Sequence, residues 1–289
     1  MIVTAAVCTY ERYDVLGDAI RSLGQQQLPA DAYQVLVVDN SPDAAKASQF
    51  AAGFRDAANV RFLHVDRPGL SHARNVALAE SQSPYIAFID DDALAPPDWL
   101  ANIARFFDSA EPDAAAVGGP AEAIWEAPRP PWLPDQLVSY LGAIDWGDQQ
   151  MEVGPEQWLI GCNVAYRREA VAKVGGFRTD LGRQGHLLLS NEELELHERL
   201  RQEGYRVFYC PEVRVRHRVA KNRMTPEWMR RRVFWQAISD QMSRPNQQPA
   251  GPPRKGLFSI PDDDPILFQQ ECYRIMEAVK EMNAGRSVI

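Results

Sequence analysis

Apolar residues in the first hundred positions fall into two patterns that take turns. Short, nearly unbroken apolar runs occupy 3–7, 34–39 (QVLVVD), 60–65 and 85–89. Runs that do not alternate with polar residues suit strands covered on both faces. Between them the spacing becomes helical. Leu16, Ala19, Ile20 and Leu23 recur at i, i+3, i+4 and i+7 behind Asp14, which predicts an amphipathic helix with Asp14 as N-cap. Residues 71–79 predict a second helix. Strands alternating with helices build a mostly parallel sheet with helices on both faces, an α/β fold, and such sheets take ligands at the carboxyl ends of their strands. Polar residues follow three predicted strand ends: Thr9, Tyr10, Glu11 and Arg12 the first, Asp39, Asn40 and Ser41 the second, and Asp90, Asp91 and Asp92 the fourth. One acidic, hydrogen-bonding crevice is expected there.

Beyond residue 110 the alternation weakens. A strand is predicted at 114–117, a rigid loop at 128–134 (PRPPWLP) and an excursion over one face at 140–154. Helices are predicted at 168–174 and 191–203, and strands at 206–210 and 212–217. Thr225-Pro226-Glu227 is a helix start, with Thr as cap and Pro in the first turn. Six prolines in 245–265 read as a loop or linker, and a last helix as 267–282.

Composition narrows the class. With 289 residues, 45% apolar, the chain can bury a sizeable core. The 39 acidic residues outnumber 31 basic ones for a net charge of −8, which argues against a nucleic-acid partner. The charge is uneven, however: residues 214–232 hold eight basic side chains and a single acid, Glu227. Cys8, Cys162, Cys210 and Cys272 lack metal-binding spacing and read as buried thiols, Cys8 and Cys210 especially. The first residues show neither a signal peptide nor a spanning segment, so a cytoplasmic location is expected.

Four features could carry chemistry. Three adjacent aspartates raise one another's pKa unless a cation neutralises them, so a divalent ion is the economical explanation for 90–92. Strand alternation sends Asp90 and Asp92 to one side; a capping cluster before Pro96-Pro97 is the plainer reading. Gly69 to Asn75 joins a turn to a helix start, where free N–H groups and Arg74 suit a phosphate or ribose oxygen, although a capped helix with a surface ion pair would look the same. Glu192 and Glu193 open a helix, as the dipole alone favours, but one carboxylate aimed into the crevice would be a general base. His217 could complete a metal shell or simply be a satisfied core residue.

Taken together and in order, CTYERYDVLGDAIRSL, VLVVDNSPD, RPGLSHARNVAL, YIAFIDDDALAPPDWL, GCNVAYRREAVAKVGGF, SNEELELHERL and the later VRH resemble the family 2 glycosyltransferases of GT-A-type fold. The resemblance covers roughly residues 2–220. It implies an inverting transfer from a nucleotide-diphosphate sugar, a UDP-sugar above all, to a hydroxyl acceptor, assisted by Mg²⁺ or Mn²⁺. By it, Thr9, Tyr10 and Glu11 line the base pocket and Asp39 contacts the pyrimidine. Arg74 lies near ribose and diphosphate, Asp90 and Asp91 approach the nucleoside, and Asp92 and His217 hold the metal. Gly161, Asn163 and Trp158 fall at the donor-sugar and acceptor site. The base maps to Glu193, with Glu192 the close alternative, because the family's Glu-Asp pair is here Glu-Glu. Charge alone adds Arg218, Lys221 and Arg223 as a lid on the diphosphate.

The resemblance divides the chain into a catalytic domain, 1–220, and a helical extension, 221–289. In that extension 225–242 interleaves Arg230, Arg231 and Arg232 with Trp228, Phe234 and Trp235, which allows either a peripheral contact with the inner face of a membrane or inward packing of the aromatics. A homodimer is compatible with the pattern. The rivals are a receiver domain, a nucleotidyltransferase and a non-catalytic sugar-nucleotide-binding module. The first would be about half as long, and the second needs a Gly-rich basic loop where this chain has TYERYD. The third would lack a working base.

Overall fold

The computed structural model describes residues 1–185, 187–243 and 265–283. Strands β1 (Val3–Thr9), β2 (Tyr33–Asp39), β3 (Val60–His64) and β4 (Tyr85–Asp90) are parallel neighbours in the order β3-β2-β1-β4. Val3, Ala5, Val7, Val35 and Val37 are buried in a core on one face, and Ala6, Leu36 and Val38 in a core on the other. That two-sided burial is why these runs are apolar without alternation.

Helix α1 (Tyr13–Leu23) buries Leu16, Ala19, Ile20 and Leu23, the periodic set. Asp14 is not its cap: it lies inside the first turn, favourable to the dipole, and Arg12 occupies the N-cap without a side-chain bond. Helix α2 (Ala44–Ala52) follows, capped by Asp43, then α3 (Leu70–Glu80). After the short β5 (Ala93–Leu94), α4 (Trp99–Ser109) buries Trp99, Leu100, Ile103, Phe106 and Phe107. Neither α2 nor α4 is among the helices expected from the sequence. In α4 the helical spacing is present but directly follows Pro96-Pro97.

The second half extends the same sheet. Strands β6 (Ala114–Gly118), β7 (Ala121–Trp125), β8 (Met151–Glu152), β9 (Asn163–Arg167), β10 (Arg206–Tyr209) and β11 (Val215–Val219) complete the set, with helices α5 (Arg168–Lys173) and α6 (Glu192–Gln202) between β9 and β10. The eight-stranded sheet runs β3-β2-β1-β4-β9-β6-β10-β8. Strand β9 is antiparallel to both β4 and β6, so the sheet is mostly rather than wholly parallel. The last strand starts later than the expected 212, because Val213 N–H closes a turn onto Cys210 O. It pairs instead in a small sheet, β5-β11-β7, with His217 opposite Ala93. That pairing, and the Arg218 N–H donated to Asp92 O at 2.9 Å, bring the VRH segment to the end of β4.

Helix α7 (Pro226–Met242) begins as expected, with Thr225 Oγ1 accepting from Trp228 N–H at 3.2 Å. It packs with α8 (Pro265–Asn283) and with the 3₁₀ segment Asp135–Leu141 in a third core that also takes Leu189 and Val219. The aromatics of α7 face this core: Phe234 is buried, and Trp228 and Trp235 pack partly buried against it. These rings thus pack inward at least in part, and among the described residues no helix is long and apolar enough to cross a membrane. Most of the proline-rich stretch, 244–264, lies outside the described residues.

Candidate active site

The parallel register sets side by side the strand ends that carry polar residues, Thr9 against Asp39 and Cys8 against Asp90. A cleft opens over them, closed on its other sides by Ser139–Gly142, Ile160–Cys162, the start of α6 and the inner face of α7. Cys8 lines it and is only partly buried, unlike Cys162, Cys210 and Cys272, so the expectation of a buried Cys8 thiol is corrected.

At the end of β4 the three aspartates diverge. Asp91 lines the cleft but is buried, accepting from Thr9 Oγ1 at 2.7 Å and from Arg12 Nη1 at 2.9 Å. Burial outweighs Arg12's pull and raises its pKa. Asp90 and Asp92 lie on the other side with His217, their ligand atoms within 4.8 Å of one another. Asp92 meets Arg12 Nη2 at 2.7 Å, His217 Nε2 at 3.2 Å and Arg223 Nη2 at 3.4 Å. Burial alone would raise Asp92, but these cations, His217 foremost, hold it well below the usual range. For His217 too, burial opposes the charge and Asp92 overcomes it, raising the pKa. Neither Asp92 oxygen has an aligned hydrogen bond, and His217 Nδ1 has no partner. Two carboxylates and an imidazole with unsatisfied buried atoms fit a divalent cation, and the mixed donor set suits Mn²⁺. Gly142, at φ +89°, makes room for the imidazole: a Cβ there would come within 2.5 Å of Cε1.

At the other end, α3 and α6 meet through a buried ion pair. Arg74, 2% exposed, donates from Nη1 to Glu192 Oε1 at 2.8 Å and from Nη2 to Gly161 O at 2.9 Å, and lies 3.7 Å from Asp90. Its guanidinium lies 5.5 Å from the ring centres of both Phe88 and Phe177, which meet each other edge to face. Gly161 is glycine for this reason, since a Cβ would sit 2.6 Å from Arg74 Nη2. Asn191, in the left-handed region at φ 69°, starts α6 and sets Glu192 and Glu193 on the cleft wall. Glu193 Oε2 is buried without a partner. Burial first, and the charge of Glu192 second, push Glu193 up to about 8.

Other expected residues fall elsewhere. Asn163 does not line the cleft: it is fully buried, accepting from Trp99 Nε1 and donating to Pro120 O and Val213 O, which makes it a fastener between β9 and two loops. Trp158 packs edge to face on Trp146 at 4.7 Å, also off the cleft. Glu11 is exposed, at φ 56°, and outside the lining, whereas Thr9 and Tyr10 are in it. Asp39 lies below the lining with both oxygens engaged, Oδ1 by Ser41 and Oδ2 by Tyr13 OH at 2.7 Å. Arg218 pairs with Asp18 at 2.5 Å and Lys221 is exposed, so of the expected basic lid only Arg223 reaches the cleft. Arg12, expected at the crevice, lines it, as do Arg183, which was not singled out, and Arg232, which was named only in the basic-aromatic helix. Arg12 is readable as part of the first strand's polar end. Arg232 is distinguishable from Arg231 only by helical phase, one position before the buried Val233.

Over the strand ends of a mostly parallel sheet, the cleft thus joins an acidic group facing a histidine to a second acid pair. The sequence profile described as Glycosyl transferase family 2 matches residues 4–175, and the chain belongs to that family. It is 31% identical over 245 residues to the glucosyl-dolichyl phosphate glucuronosyltransferase of Haloferax volcanii, covering 83% of this chain and 76% of that protein. Identity to the succinoglycan biosynthesis protein ExoM of Rhizobium meliloti is 30% over 234 residues, 79% of this chain and 70% of that one. In fold it is similar to a mannosyltransferase from Pyrobaculum calidifontis solved with GDP-Man and Mn²⁺ (TM-score 0.61, 22% identity, 99% of this chain and 76% of that chain). TarS of S. aureus, residues 1–349, solved with UDP-GlcNAc, has the same fold (TM-score 0.58, 18% identity, 83% of this chain and 66% of that chain).

Proposed function

We propose that the protein moves a sugar from a UDP-sugar to a hydroxyl acceptor in a single displacement that inverts the anomeric carbon, with Glu193 as general base. The observation that carries this reading is the Glu193 Oε2 atom, buried at the cleft wall with no hydrogen-bond partner among the described residues; burial and the charge of Glu192 push its pKa up to about 8. A base near the operating pH both exists as carboxylate and pulls strongly on a hydroxyl proton. Glu192 is the weaker candidate, because Arg74 already engages its Oε1. Glu192 Oε2 also lacks a partner among the described residues, so the contrast rests on Oε1, which Arg74 holds; direct attack by the acceptor then needs no covalent intermediate.

The other residues divide around this step. Thr9 and Tyr10 would border the base, with Asp39 and Asp91 fixing that wall. Arg74 holds Glu192 and the Gly161 turn, so it positions the acid pair beside the donor sugar. Asp90, Asp92 and His217 would hold Mn²⁺ or Mg²⁺, which when bound supplies positive charge to the departing diphosphate. Arg223, already 3.4 Å from Asp92, is placed to follow that charge. The relatives' printed names, a glucosyl-dolichyl phosphate glucuronosyltransferase and a succinoglycan biosynthesis protein, support an acceptor that is itself a growing or lipid-linked glycan.

A panel of nucleotide sugars, scored by thermal stabilisation with and without Mn²⁺, tests the reading. Ligand at a hundred times its Kd stabilises the native state by about 2.7 kcal/mol. A UDP-sugar that raises Tm only with the metal is the expected result; stabilisation by no UDP-sugar, or equally without metal, would overturn it.

A further inference from the structure

Arg232 presents an unmet demand inside the cleft. It is 7% exposed and lines the cavity, yet its guanidinium makes one hydrogen bond among the described residues, Nη2 to Gln236 Oε1 at 2.7 Å. Nε and Nη1 are buried with no partner. Buried cations are ordinarily paired, and leaving one unpaired is costly. Within 4 Å no carboxylate of the described residues pairs with it, whereas Arg223, which lines the same cavity, reaches Asp92. Its remaining neighbours divide: Tyr140, Glu193 and Glu192 favour the cation, and Arg183 opposes it. The Tyr140 ring lies 5.6 Å from the guanidinium carbon, and a second cation, Arg183, borders the same cavity. Burial, and then the charge of Arg183, lower the Arg232 pKa to about 9.

Its location is fixed by hydrogen bonds. Gln236, which accepts from Arg232, donates through Nε2 to Asn191 Oδ1 at 2.7 Å. Asn191 immediately precedes Glu192 and Glu193. Arg232 is therefore anchored to the acid-pair end of the cleft, whereas the cations that pair with Asp92 are Arg12, His217 and Arg223. Arg183 and Arg232 also lie beyond the residues matched by the family profile, which end at 175.

We propose that Arg232, with Arg183 beside it, is an oxyanion-recognition site that selects a substrate carrying a carboxylate or phosphate group close to the reacting centre. Gln236 takes one of the two Nη2 hydrogens, so one two-pronged edge of the planar guanidinium remains for two oxygens of such a group, beside the Tyr140 ring. The anion comes either from the donor sugar, as a uronate, or from the acceptor, as a phosphate next to its reacting sugar. This inference rests on the proposed nucleotide-sugar reading of the cleft.

Titration calorimetry in Mn²⁺ tests it with two matched pairs: UDP-glucuronate against UDP-glucose, and, on the UDP-saturated protein, glucose 1-phosphate against methyl glucoside. In the wild type one pair shows a preference for the anionic member of at least about tenfold, about 1.4 kcal/mol. In Arg232→Gln that ratio collapses to about one. A preference in the first pair puts the anion on the donor, in the second on the acceptor, and either supports the site. No preference in either pair, or one undiminished in Arg232→Gln, overturns it. Arg232→Met, which fills similar volume without charge, repeats the test with the same outcomes should the Gln variant not fold. Failure of the wild type to bind UDP at all would instead count against the nucleotide-sugar reading.

Discussion

Two carboxylates at opposite ends of the cleft, Asp92 and Glu193, sit in opposite electrostatic settings, although burial raises Asp90 and Asp91 beside the first. At the end of β4, Asp92 is surrounded by Arg12, His217 and Arg223 and is held ionised well below the usual range. At the start of α6, Glu193 has a carboxylate for a neighbour and no cation on its Oε2, and is pushed up to about 8. A permanently charged carboxylate suits a cation or a diphosphate partner; one that exchanges its proton near neutrality suits acid–base work. Arg74 separates the two regimes. It spends its charge on Glu192 at 2.8 Å and lies 3.7 Å from Asp90, so neither end takes it whole.

That comparison can be broken at several points. The largest effect on the protein itself is expected from Glu192→Ala, which strands the buried Arg74: stability should fall by about 3–5 kcal/mol, read as the urea or thermal midpoint. Next comes the charged end. Asp92→Asn should weaken Mn²⁺-dependent nucleotide-sugar affinity by at least about tenfold, the scale on which disturbed metal sites respond, and a chelator should do the same to the wild type. Calorimetry with and without Mn²⁺ would show this, and metal-independent affinity in both proteins would remove the assignment.

The third effect concerns pH. A carboxyl whose pKa is higher folded than unfolded keeps its proton in the native state. Glu193 therefore costs the wild type stability as pH rises from its reference value of 4.5 towards about 8, by up to about 1.4 kcal/mol for each pH unit crossed. Glu193→Gln carries no such ionisation, so its Tm should gain on the wild type across that window and stop gaining above it. Over the same interval kcat/KM of the wild type should climb, as the base loses its proton. The smallest effect is at a third strand end: Tyr13→Phe removes one of the donors to Asp39 and should cost about 1 kcal/mol.

The first four strands and α1 were legible because burial on two faces, or on one helical face, writes itself directly into apolar spacing. Alternation paired Asp90 with Asp92, and the two do lie together, but β4 ends at Asp90 and it is the following turn that brings Asp92 round. What sequence could not carry was partnership across the chain. Nothing in GCNVAYRR says that Asn163 will spend all its hydrogen bonds on Trp99, Pro120 and Val213 while Gly161, two residues earlier, makes room for Arg74. Likewise the three arginines of α7 look alike as charge. Only the packing of Met229 and Val233 turns Arg232 inward, while Arg230 pairs with Glu271 of α8 and Arg231 faces out. Asp14 misled for a related reason: an acid near a helix start is favourable both as cap and inside the first turn, and composition does not distinguish them.

The division of labour between the two ends is tested most directly by Glu193→Gln, assayed for donor binding and for sugar transfer in the same preparation. Donor affinity should stay within about twofold of the wild type while transfer falls by at least about 10²-fold, the minimum expected when a general base is removed. Transfer at the wild-type rate, or a loss of transfer matched by an equal loss of donor affinity, would contradict the account.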